Sequence, residues 1–206
     1  MPALNSFLYI RLAFKNLRKN ANTYFPYAMT CVCSIITFYT MVAIVQNPGL
    51  QNMPGAGSVL AIMALGSIVI GIFSTILLFY TNSFLIKRRK REFGLYGVLG
   101  LEKKHIAAVL FFETFFIAII SLVLGLLGGI LFGKLIFLLL LNLLSFTVAI
   151  PFFISVKAMS TTVLLFAGIF LLTLLTNLWN MHLANPIQLL QSKKQGEKEP
   201  KSSWVI

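Results

Sequence analysis

Aspartate is absent from all 206 residues, and only five glutamates stand against 17 lysines and arginines. Charged side chains make up 11% of the chain, where soluble domains carry about a quarter. Two histidines, His105 and His182, lie far apart in sequence, so acid–base machinery has few parts to draw on. There is no Walker P-loop and no His/Cys/Glu cluster with metal-ligand spacing, so neither an enzyme nor a bound cofactor or metal is expected. The two cysteines, Cys31 and Cys33, are two residues apart in an apolar run. On a helix they point to nearly opposite sides, which rules out a shared metal or an easy disulfide and leaves buried thiols as the expectation. The N-terminal stretch mixes charged and apolar residues, and lacks the charged, apolar, then small order of a cleavable signal peptide.

What the chain has in excess is hydrocarbon. Apolar residues reach 58% and the mean hydropathy is +0.90, which excludes both a soluble globular enzyme and a disordered chain. At about 20 residues per helical span, the length accommodates about four spans. The apolar runs place them near residues 24–46, 58–86, 107–132 and 159–182. The second run, at 29 residues, makes a helix of roughly 43 Å and outruns a hydrocarbon core of about 30 Å. The third run continues to residue 144 as an outer extension or interfacial segment, and Pro151 ends it. The organisation is thus an interfacial segment 1–23, a four-span unit 24–184 with a charged connector 87–105, and a polar tail 185–206.

The cations are distributed unevenly. Fifteen of the 17 lie in segment 1–23, in the connector or in the tail, while the turn-rich loop 47–57 has none. The positive-inside rule puts both termini and the connector in the cytoplasm. The basic balance is therefore topological, and no nucleic-acid partner is expected. Residues 4–20 read as an amphipathic helix, with Phe7, Leu8, Leu12 and Phe14 on an apolar side and Arg11, Lys15, Arg18 and Lys19 on a polar side facing anionic headgroups. It serves as a membrane anchor or as an elbow that braces a partner.

Few polar residues fall within the spans. Glu113, about two turns into the third span, is a candidate intramembrane polar site, expected to snorkel or to bond a neighbouring Ser or Thr rather than to serve transport. Lys134 reads as a snorkelling anchor, and the histidines as interfacial caps. Gly125, Gly129 and Gly133 recur every fourth residue, and such a stripe lets another helix approach closely.

The connector carries the most information. Five consecutive cations, Lys87 to Arg91, precede an apolar stretch broken by Gly94, Gly97 and Gly100, then a basic Lys103-Lys104. A solvated loop accounts for the cations but not for Phe93, Leu95, Tyr96, Val98 and Leu99 in water. Arg91-Glu92-Phe93-Gly94-Leu95, followed by Gly100, resembles the cytoplasmic loop of FtsX/MacB-type ABC transporter permeases. Asn185-Pro186-Ile187-Gln188-Leu189-Leu190 resembles the family's ending after the fourth span. The resemblance implies an all-α polytopic fold with a coupling helix that seats on a partner ATPase, through Arg91, Glu92, Phe93, Gly94, Leu95, Tyr96, Leu99 and Gly100. FtsX and MacB carry a large extracellular domain between spans one and two, whereas here that loop has eleven residues, 47–57. The short loop resembles more closely the N-terminal four-span unit of bacitracin-resistance-type permeases, and the ending Ser203-Trp204-Val205-Ile206 reads as the start of a further span.

By resemblance, then, the chain is expected to be the transmembrane subunit of an ABC transporter in a bacterial membrane. The expected partners are an ATPase dimer, membrane lipid, an antimicrobial peptide or lipid-linked substrate, and a sensor histidine kinase. ATP-driven closure is expected to push residues 92–101 and to move the extended second span. Two other classes fit less closely: a non-transporting scaffold or sensor subunit signalling to a histidine kinase, and an activator of cell-wall hydrolases.

Overall fold

A computed structural model describes residues 6–48, 56–98, 103–143 and 155–183, and among them every element is an α-helix. These are α1 (Ser6–Lys19), α2 (Ala21–Val45), α3 (Ala56–Val98), α4 (Lys103–Leu143) and α5 (Val156–Leu183). Helices α2 to α5 are each long and apolar enough to cross a membrane. This is the expected all-α polytopic fold.

Helix α2 is the hub, because its apolar residues recur at alternating steps of three and four. Tyr24, Tyr27, Cys31, Ile35, Phe38 and Val42 are all buried and form one stripe through the core. Phe166, Ile169 and Phe170 of α5 pack against that stripe, with Phe38 meeting Phe166 edge-on at 6.0 Å. Cys31 is buried as expected, but Cys33 is exposed. The two do point to opposite sides, which is why only one can lie in the core.

Helix α4 meets α2 along a glycine seam. A Cβ added at Gly125 would lie 2.5 Å from Ile35, and one at Gly129 would lie 2.7 Å from Tyr39. Gly128, outside the four-residue repeat, is equally tight, since its Cβ would fall 2.8 Å from Ile36. Gly133 is not part of the seam, because its nearest neighbour is Thr40 Oγ1 at 4.0 Å. The close approach therefore ends after Gly129.

One helix runs further than expected, and another takes the longer of the forms expected for it. Helix α3 has 43 residues, roughly 65 Å at helical rise. The segment 87–98 is therefore not a separate short helix but the end of the second span's own helix. It contains no proline, and its first glycine, Gly94, comes after the Arg89–Glu92 pair has bridged a turn. Helix α4 likewise runs unbroken for 41 residues.

The chain returns on itself in a consistent way. Asn20 alone separates α1 from α2, its carbonyl accepting from Thr23 and Tyr24 N–H and its own N–H bonding Asn16 O. At this basic end α1, the end of α3 and the start of α4 lie together. At the far end Ser155 Oγ donates to Gln46 Oε1 at 2.6 Å and accepts the Ala158 N–H at 3.0 Å, capping α5.

Candidate functional site

Buried residues on α3 recur at three- and four-residue steps, Gly71, Ser74, Leu78, Asn82, Leu85, Arg89 and Phe93, with Gly94 buried beside the last. One face of the helix thus stays inward from the middle of the span to its end, and it carries Arg89 inward with it. Helix α4 presents a matching stripe of Ile106, Leu110, Glu113, Ile117 and Ser121. The two stripes meet where a cation on one faces a carboxylate on the other.

Arg89 and Glu113 are 2% and 1% exposed. The guanidinium holds both carboxylate oxygens, Nη1 on Oε2 and Nη2 on Oε1, the latter at 3.1 Å. This fork geometry is the strong form of the pair. Tyr24 of α2 donates its hydroxyl to Glu113 Oε2 at 2.8 Å and accepts from Arg89 Nη1. Asn16 of α1 donates to Glu113 Oε1 at 3.1 Å. Four helices therefore converge on one buried ion pair. Arg89 also donates through Nε to Glu92 Oε2 at 3.1 Å, and Asn20 donates to Glu92 Oε1 at 2.8 Å. The guanidinium lies over the rings of Tyr24 and Phe93, at 5.1 and 4.9 Å from their centroids.

Burial of such a pair is tolerated only when every charge finds its partners, and here each does. Glu113 thus neither snorkels nor bonds a neighbouring Ser or Thr. It is buried because it lies on the packed stripe, and four donors from three other helices satisfy it. Nor is Arg89 a solvated stop signal like its neighbours Lys87 and Arg88, both of which are exposed.

Two further polar contacts brace the same end. Asn82 and Asn177 exchange side-chain amide hydrogen bonds, at 2.8 and 3.2 Å, and tie α3 to α5. Tyr9 of α1 hydrogen-bonds His105 Nδ1 through its hydroxyl and stacks on the imidazole at 5.8 Å. His105 therefore ties α1 to the start of α4.

The residues read as a coupling segment separate into inward and outward sets. Phe93 is buried against Ile106, Leu110 and Ile86 rather than standing in water. Glu92 is engaged within the chain by Arg89 and Asn20, and Gly94 is buried. Leu95 faces outward, 54% exposed. Arg91 and Tyr96 lie on α3, with side chains outside the described set, and Leu99, Gly100 and the motif 185–190 lie outside the described residues.

On α1 the cations Arg11, Lys15 and Arg18 are exposed, and Phe14 stands among them rather than on a separate apolar side. Ala13 and Asn16 point inward with Leu17 partly covered, while Phe14 is 62% exposed. Where the outer medium is hydrocarbon and headgroups, a buried carboxylate attracts the polar side and releases the phenyl ring.

Four apolar spans around a hub, with a buried ionic knot where the second and third spans meet, define a multi-pass helical membrane domain. The chain belongs to the FtsX-like permease family, whose C-terminal domain matches residues 60–186. It is 28% identical over 197 residues to the uncharacterized ABC transporter permease YvcS of Bacillus subtilis, covering 94% of this chain and 30% of that protein. It is 27% identical over 167 residues to the bacitracin export permease protein BceB of the same organism, covering 81% of this chain and 26% of that protein. A BceB from Halalkalibacterium halodurans is 28% identical over 166 residues, 81% of this chain and 26% of that protein. The chain thus spans under a third of the length of these relatives.

Proposed function

We propose that this chain is the transmembrane part of an ABC transporter, driven by ATPase subunits on separate chains. Its proposed cargo is an antimicrobial peptide of the bacitracin kind or the lipid-linked target of such a peptide, which it exports or protects. Family membership supports the ATPase partner, and the names of the two BceB relatives support the cargo class. In this reading the basic end faces the cytoplasm, as the positive-inside rule favours.

The observation that carries the proposal is Leu95. It is an exposed apolar side chain at the end of a rod continuous with the second span, next to Glu92 and Phe93 that are already engaged within the chain. A partner seated on residues 95–100 pushes a helix with no proline along its length, so displacement passes directly to Asn82 and the outer turns. By the family resemblance, Tyr96, Leu99 and Gly100 belong to the same proposed docking segment. Glu92, which the sequence alone offers as a partner for an ATPase cation, holds Arg89 and Asn20 instead.

Co-purification with the cognate ATPase tests this reading, with ATP hydrolysis followed in the presence and absence of bacitracin. An apolar anchor in an interface commonly carries ~2 kcal/mol, so Leu95→Ala and Tyr96→Ala should each weaken ATPase association about 30-fold. Bacitracin should raise hydrolysis by the wild-type complex. Unchanged ATPase recovery in both variants would remove the coupling assignment, and copurification of a histidine kinase in its place would favour the sensor class.

A further inference from the structure

Helix α1 is held in one rotational setting by the buried ion pair. Asn16 reaches Glu113, Asn20 reaches Glu92, and Ala13 is fully buried between them and the core. With that face pinned, steps of four and three residues turn Arg11, Lys15 and Arg18 outward as one stripe, and all three are exposed. Phe14 stands among them at 62% exposure, with Ile10 at 37% one turn away. Arg11, Leu12, Phe14, Lys15 and Arg18 together line a shallow groove of about 480 Å³.

A bare phenyl ring is unfavourable in water, and three cations are unfavourable in hydrocarbon. Both are satisfied where phosphates overlie acyl chains. We propose that this groove binds an anionic phospholipid, its headgroup phosphate held by Arg11, Lys15 and Arg18 and its upper acyl chain lying on Phe14. Guanidinium groups match phosphate oxygens in a bidentate fork, which favours an arginine at each end of the stripe. A soluble phosphate has no apolar portion to cover Phe14, so the ligand belongs to the bilayer. The site goes beyond the transport reading and requires no ATPase.

The test places a single tryptophan in the groove by Phe14→Trp on a Trp179→Phe, Trp204→Phe background. The chain is reconstituted into phosphatidylcholine vesicles containing a low, equal fraction of brominated phosphatidylglycerol or brominated phosphatidylcholine. The probe should be quenched about fivefold more by the anionic lipid. Adding Arg11→Gln, Lys15→Gln and Arg18→Gln should abolish the preference while far-ultraviolet circular dichroism stays unchanged. Lys87→Gln with Arg88→Gln, which removes two exposed cations elsewhere, should leave it intact. Equal quenching by the two lipids overturns the site. So does equal loss in the Lys87/Arg88 variant, which would mark diffuse surface charge, or displacement by soluble glycerol phosphate.

Discussion

The basic end of this bundle and its α2–α4 seam are held by different physics. At the basic end, directional polar contacts link every helix: Arg89 with Glu113 and Tyr24, Asn16 and Asn20 with the two carboxylates, Tyr9 with His105, and Asn82 with Asn177. Further along, α2 and α4 are held by shape, through the seam of Gly125, Gly128 and Gly129 against Ile35, Ile36 and Tyr39. In a membrane, apolar surface gains little by leaving lipid for protein, so helices associate either through such close packing or through hydrogen bonds. Shape gives contacts that weaken by degrees. An ionic knot keeps its geometry until a partner is removed, and then it becomes costly at once. In the proposed coupling, the end that would receive the push is the end built on the second principle.

That contrast can be broken most severely at Glu113. Glu113→Gln leaves the buried Arg89 cation with only the partly exposed Glu92 as counter-charge, and should cost about 3 kcal/mol. Thermal unfolding of the purified chain in detergent measures it. Arg89→Met combined with Glu113→Leu should recover most of the loss, because the penalty comes from the orphaned charge rather than from the absence of the pair. Stability within 1 kcal/mol of wild type for the single variant would show that the knot is not a structural clamp.

The seam should respond less. Gly125→Ala forces a methyl to 2.5 Å from Ile35, and overpacking of this kind costs about 1–3 kcal/mol. Gly133→Ala meets nothing nearer than 4.0 Å and should be neutral in the same unfolding assay. Equal effects at the two positions would dissolve the distinction between seam and stripe. Smallest of the three is Asn82→Leu, which removes one member of an amide pair worth ~1 kcal/mol in a membrane. Its effect should appear as faster exchange of α5 amides rather than as a loss of fold.

The spans and the fold class were legible because hydrocarbon runs of this length have one physical outcome. The helix ends were not: the charged run after Ile86 reads as a span boundary, yet lysine and arginine are good helix formers and α3 continues through them. The buried pair was hidden for a related reason. Arg89 sits in the middle of five consecutive cations, where composition makes all five equivalent. Only its register, seven residues beyond Asn82 and four before Phe93, distinguishes it. Glu113 carried the same signal, since it shares a face with Leu110 and Ile117. On α1 the cations Arg11, Lys15 and Arg18 face outward as they read, and an apolar side chain in this setting also gains by facing lipid. Phe14 does so while Asn16 turns in.

Among these spans the hub is also the first to leave the ribosome. Helix α2 waits in the bilayer while α3 is made, and α3 arrives with Arg89 already in place but with Glu113 still 24 residues from being synthesised. Until then the pair cannot form. Helix α4 carries both the carboxylate and the glycine seam. The ion pair is thus a registration mark between spans: it can close only when the second and third are set together in depth and rotation.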